Sequence, residues 1–184
     1  MQNYFDNLVL PQSNDSWMWN PLVPGKLNIL AWRVCQGKLP CMDNLFKLGI
    51  SSSNLCKICH EAPKTDDHIF VGCPVSKDVW LQVCSWWRLL DPSPASYWEL
   101  LKGEYMVGGD QRLKMFHEAI TLVFLWVIWR FRNKKAHALN PIFVSKTEVQ
   151  AHSYLWINSR NRKGNNLKWT EWCCDPILEC LGRH

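Results

Sequence analysis

The sequence predicts a mainly α-helical protein, in which a small helical metal-site domain is followed by an α-helical C-terminal region. Three observations carry this expectation. Apolar residues recur at three- and four-residue spacing through much of the chain, with Pro and Gly at the breaks. Three cysteines and a histidine gather between Cys56 and Cys73. Positive charge is concentrated in the second half, where Arg130 to Lys168 holds nine basic residues against Glu148 alone. That segment carries +8, whereas the whole 184-residue chain carries +5. With 47% hydrophobic and 20% charged residues, the composition is that of a globular protein able to bury a core.

Residues 1–25 read as an arm with Asn, Ser, Asp and Pro, anchored by Trp17 and Trp19, and residues 1–15 precede the first domain. A first helix is expected over about Lys26 to Gln36, where Leu27, Leu30, Ala31 and Val34 share a face and Gly37 stops it. Pro40 turns the chain into a short helix from Cys41 to Leu48, and Ser51 to Asn54 is a polar linker. Pro74 opens a third helix reaching about Leu90, with Val75, Val79, Val83 and Trp86 on one face. Asp91-Pro92-Ser93-Pro94 breaks it, which sets the domains at 16–90 and 91–184.

In the second part, Ser96 caps a short helix through Leu101. The longest helix is expected from about Gln111 to His137, enclosed in its apolar middle and wet at its basic end. Another follows over Lys146 to Asn158, leading to a basic loop at 160–166, while Trp172 to His184 shows no clear period. Most of the twelve tryptophans are expected in the core, with one or two exposed rings as the alternative for stacking on bases.

The nine cysteines are odd in number, and Met1 to Gln12 lacks the basic and apolar segments of an export signal. An intracellular setting with reduced thiols is therefore expected, and metal binding is the leading reading of the clustered ones. The spacing is Cys56-x2-Cys59-x8-His68-x4-Cys73. Two residues between cysteines let one tight turn aim both sulfurs at a point, and the second pair returns from a neighbouring turn. Three thiolates and one imidazole complete a tetrahedron around Zn²⁺ with no position left for water, which makes the site structural. His60 is a rival ligand, but it follows Cys59 directly and cannot easily swing to the same ion. Asp66 or Asp67 is expected to orient the imidazole. Cys35, Cys41 and Cys84 read as core thiols, and Cys173, Cys174 and Cys180 lack a convincing partner spacing.

Taken together, Trp17-x-Trp19, Lys26, Trp32-Arg33, Leu39-Pro40, Asn44-Leu45, Gly49-Ile50, the Cys-Cys-His-Cys set, Phe70, Pro74 and Trp80 closely resemble the reverse-transcriptase zinc-binding domain of plant LINE-type (non-LTR) retrotransposons. The resemblance covers about residues 16–88, and Trp129 to Asn133 is similar to a segment often found downstream. Cys41 departs from the usual Thr or Ser, and Lys64 from a common acid. The resemblance implies a retroelement-derived, non-catalytic module, with one zinc ion on Cys56, Cys59, His68 and Cys73, that assists template binding.

No polymerase chemistry is expected, because Asp66-Asp67 is the one adjacent acidic pair and it lies inside the cysteine-histidine loop. The expected partner is RNA or single-stranded DNA bound without sequence specificity, with no membrane. Arg130, Arg132, Lys134, Lys135, Arg160, Arg162 and Lys163 are the candidate phosphate contacts. The competing reading is a protein-interaction module whose tryptophans dock on a polymerase domain or a host partner, or a remnant without function. Arg132-Asn133-Lys134-Lys135 is a weak nuclear import signal.

Overall fold

A single 25-residue helix, α4 (Gln111–Lys135), organises the fold, because its middle is apolar on every side. Phe116, Ile120, Val123, Phe124, Val127 and Ile128 are all buried, so other elements must enclose it. In the computed structural model, residues 19–39, 49, 55–62, 65–89, 93–103, 110–135, 138, 140–161 and 167–181 are described. Around α4 lie α1 (Gly25–Cys35), a single π turn (His68–Gly72), α3 (Tyr97–Lys102), α5 (Lys146–Arg160) and α7 (Pro176–Leu181). α2 (Pro74–Trp86) packs on the π turn and α5, and α6 (Trp169–Cys174) on α5 and α7. The mainly helical class expected from the sequence holds, and no helix among the described residues is long and apolar enough to cross a membrane.

The helix ends follow from local chemistry. α1 closes in a paired-bond turn, with Gly37 N–H donating to the Val34 carbonyl and Lys38 N–H to that of Arg33. Gly37 takes φ +59° at no steric cost. Ser96 caps α3 by accepting the Glu99 N–H, and the Glu99 carboxylate reaches back to the Ala95 N–H. α2 ends four residues before the expected Leu90. Arg88 takes φ 53°, and the Arg88 and Leu89 N–H groups donate to the Ser85 and Cys84 carbonyls. This is the same turn that glycine usually closes, formed by an arginine whose guanidinium pairs with Asp175. The expected second helix at Cys41 to Leu48 lies outside the described residues.

One hydrophobic core joins residues on both sides of position 91: Leu27, Val34, Phe70 and Trp80 with Leu100, Phe124, Val149 and Trp172. Trp172 is fully buried against Trp86 and Trp87, at ring distances of 5.4 and 6.4 Å. The Trp86 indole donates to the Trp172 carbonyl, and the Trp172 indole donates to that of Gln150. α6, with no period legible in sequence, is thereby pinned into the core. Trp80, Trp86, Trp87 and Trp172 are buried, whereas Trp126, Trp129 and Trp156 are half-buried and Trp19, Trp32, Trp98 and Trp169 exposed. The tryptophans thus divide between core and surface. At the N-terminal side, Asn20 N–H donates to the Asn28 side chain, which donates back to the Asn20 carbonyl. The Asn20 amide reaches the Met115 carbonyl on α4, which ties the entry segment to the core.

Candidate metal centre

Cys56 and Cys59 stand on one tight turn. The Cys56 N–H donates to the Ala62 carbonyl, the His60 N–H donates back to the Cys56 carbonyl, and the Ile58 N–H points at Cys56 Sγ at 3.4 Å. His60 closes the turn at φ 62° with its ring exposed, away from the cluster, as its place in the chain implied.

His68 and Cys73 come from the π turn. In an α-helix, two residues five apart point about 140° away from each other. The wider turn, closed by Cys73 N–H donating to the His68 carbonyl, brings them to one side. Thr65 Oγ1 accepts the His68 N–H, and Ser76 Oγ donates to the Ile69 carbonyl at 2.6 Å, so the turn is held from both ends. Pro74 then starts α2.

The four ligand atoms, three Sγ and one imidazole nitrogen, all lie within 4.8 Å of one another. A zinc tetrahedron with Zn–S near 2.3 Å and Zn–N near 2.0 Å has edges of roughly 3.5–3.8 Å. The Cys59 Sγ to His68 Nε2 distance, 3.3 Å, is close to such an edge. This group of donors could hold a metal ion, and among the described residues it is the one cluster of its kind. Cys56 and Cys73 are fully buried, and Cys59 and His68 half-buried. The Cys56 thiol is held far below the ordinary thiol range, first by Cys73 and then by the backbone N–H groups of Cys59 and Ile58. Cys73 is pushed up, first by Cys56 and then by burial. Two thiols this close cannot both ionise unless a cation sits between them, which is the chemistry of a thiolate metal site.

The cluster rests on α4. Phe131 packs with Cys56, Ile58 and Cys73, alongside Val75, Ile142 and Val144, and the Lys135 ammonium donates to the Ile58 carbonyl at 3.0 Å. Of the two acids expected to orient the imidazole, Asp66 or Asp67, the second accepts the Tyr97 N–H at the start of α3. Among the described residues, the other cysteines lie elsewhere: Cys84 and Cys180 are buried, Cys35, expected in the core, and Cys173 are half-buried, and Cys174 is exposed, while Cys41 lies outside the described residues.

Among the described residues, the candidate basic side chains do not form one surface. Arg132 is buried, its guanidinium 5.0 Å from the Trp129 ring and bonded to the Asn133 side chain. Lys135 is committed to the metal turn. Lys134 and Arg160 are exposed, and Arg130 lies over Trp126 at 5.1 Å. Arg162 and Lys163 lie outside the described residues. Sequence reasoning missed Lys26 and His152, which the fold brings to Trp126 and Trp156. The i, i+4 spacing of His152 and Trp156 was the available signal.

No curated protein and no solved structure matches this chain. Residues 5–80 match the model of a protein family described as zinc-binding in reverse transcriptase, so the segment that carries all four candidate ligands is similar to the zinc-binding domain of reverse transcriptases.

Proposed function

We propose that this chain is a non-catalytic, zinc-binding accessory module, derived from the reverse transcriptase of a non-LTR retrotransposon, that binds single-stranded nucleic acid without sequence specificity. The observation that carries it is the convergence of Cys56, Cys59, His68 and Cys73 within 4.8 Å, inside the segment that matches the family. Three thiolates and an imidazole saturate a tetrahedral ion, so its work is to hold two turns together. Those turns lean on the basic end of α4 through Phe131 and Lys135. Zinc thereby supports the helix end that carries Arg130 and Lys134.

The test is equilibrium binding of the zinc-loaded chain to single-stranded RNA and DNA across salt. A linear fall of log K with log salt is the expected result, since each neutralised phosphate releases about 0.7 counterion. Absence of binding to either strand at about 50 mM salt refutes the nucleic-acid reading. A second reading, docking on a polymerase domain, is favoured by the apolar pair Ile29 and Trp32 on the outer face of α1, 44% and 37% exposed. Salt-insensitive capture of a reverse-transcriptase domain, lost in Trp32→Ala, is its signature.

A further inference from the structure

The seam between α4 and α5 carries an aromatic and basic strip that uses none of the four candidate ligands, although its cleft shares Phe131 and Ile142 with the cluster around Cys56 and Cys73. Trp126 and Trp156 meet edge to face at 5.0 Å, and His152 stacks on Trp156 at 5.0 Å with 20° between the rings. The Lys26 ammonium, from α1, sits 5.0 and 5.4 Å from the two indoles, and the Arg130 guanidinium covers Trp126. One turn further along α4, Arg130, Lys134 and Phe143 line a cleft of about 260 Å³. Phe143 is 86% exposed, the most of any large hydrophobic side chain described.

The cation–ring contacts of the strip help to hold α1, α4 and α5 together, whereas the exposed Phe143 is not explained by folding. A phenylalanine left almost wholly in water contributes little to the core. Lys26, Arg130 and Lys134 all act on His152 as like charges, and together with burial, the larger cause, they hold its imidazole below the usual range; Glu148 is the acid acting the other way. Glu148 lines the same cleft and offsets part of the charge of Lys26, Arg130 and Lys134, and a bound anion would relieve the remaining repulsion. The rings beside them are faces on which planar groups stack. Alternating charge and ring faces match a chain of alternating phosphates and bases.

We propose that this strip is where single-stranded nucleic acid binds: phosphates lie against Lys26, Arg130 and Lys134, and a base stacks on Phe143. The inference rests on the nucleic-acid reading above and gives it a location. Along α5 the strip runs from Glu148 to Arg160, about 18 Å at 1.5 Å per residue, which accommodates roughly five phosphates at stacked spacing. Arg160, exposed at the far end, makes a fourth cation.

The experiment uses the full zinc-loaded chain with a fluorescent 12-nucleotide single strand, as RNA and as DNA, at 0.1 M salt. Counterion release gives roughly fivefold per phosphate contact under these conditions. The triple variant Lys26→Gln, Arg130→Gln, Lys134→Gln is therefore expected to weaken binding about 100-fold and to flatten the salt slope by about two. Phe143→Ala is expected to cost fivefold or more with no change of slope, as loss of stacking does. Its exposed ring leaves the melting temperature unchanged. The control triple Lys38→Gln, Lys77→Gln, Lys114→Gln removes the same charge from exposed positions elsewhere and is expected to cost less than tenfold. Equal losses in the two triples overturn the site while leaving nucleic-acid binding intact. No binding by the parent chain overturns both readings. Loss of polymerase-domain capture in Phe143→Ala, with oligonucleotide binding unchanged, assigns the strip to a protein instead and also overturns the proposal.

Discussion

Lys135 and Lys134 are neighbours in sequence with opposite assignments, and exchanging each for methionine separates them. The Lys135 ammonium donates to the Ile58 carbonyl at 3.0 Å, in the turn that holds Cys56 and Cys59. A hydrogen bond from a charged donor contributes about 1.5–3 kcal/mol when buried. Lys135 is half-buried, so competition from water reduces this to roughly 1 kcal/mol, or about fivefold in an equilibrium constant. Because α4 as far as Ile128 is enclosed by the main core, that part folds without the metal, whereas its last turn and the Ile58 contact depend on the docked turn. The lost energy should therefore appear in metal affinity. Methionine keeps an unbranched apolar stem and removes the ammonium, with both its bond to Ile58 and its place over the Phe131 ring at 5.9 Å. Titration against a chromophoric chelator should show Lys135→Met about fivefold weaker for zinc, with Lys134→Met unchanged. Oligonucleotide binding should respond the other way, falling in Lys134→Met and holding in Lys135→Met. Unaltered zinc affinity in Lys135→Met, together with weakened oligonucleotide binding, would refute the clamp and return Lys135 to the phosphate contacts.

Acid sensitivity should trace in part to His117, buried between the rings of Trp80 and Trp87 and pushed down to about 4 by burial. The unfolded chain takes up a proton near 6.5 and the folded one does not, so stability is intact above that pH and is lost as pH falls toward 4, by about 3 kcal/mol. Comparing urea unfolding of the parent and His117→Phe across pH 4–7 isolates this contribution from metal release; identical pH slopes would refute it. At the end of α2, Arg88→Gly should relieve the left-handed backbone at the cost of an ion pair that is exposed on the arginine side and half-buried on the Asp175 side, gaining about 1 kcal/mol and raising the melting temperature by about 2–4 °C. A lower melting temperature would mean that the Asp175 contact matters more than the strain. Trp172→Phe deletes the indole bond to the Gln150 carbonyl inside the core and should destabilise by about 2 kcal/mol, read by thermal unfolding; a change within 0.5 kcal/mol would show that α6 is not pinned by this residue.

These particulars show which parts of the molecule the chain announces. The starts and stops of α1, α3 and α5 were legible because Gly37, Ser96 with Glu99, and the helical periods act locally. The end of α2 was not, because an arginine occupies the left-handed position where sequence patterns look for glycine. α6 and α7 span six residues each, too short to display a period, and their position is fixed by Trp172 entering a core built mostly from residues at least 20 positions away. The candidate ligand group was legible because residue types and spacing encode it almost alone, although the π turn that makes the x4 interval work leaves no mark in composition. The basic surface was not. A cluster in sequence counts charges without giving their directions, and along one helix Arg132 turns inward, Lys135 turns to the metal turn and Arg130 and Lys134 reach the strip. Lys26 joins them from the far end of the chain, which only the packing of α1 on α4 brings about.

Native mass spectrometry of the purified full-length chain, with the Cys73→Ser variant beside it, tests the metal assignment most directly. One zinc per parent chain is expected, with loss of the ion in the variant and faster amide exchange confined to residues 55–73 and the last turn of α4. A folded parent chain that neither carries nor takes up zinc, with the same exchange pattern before and after chelation, would contradict it.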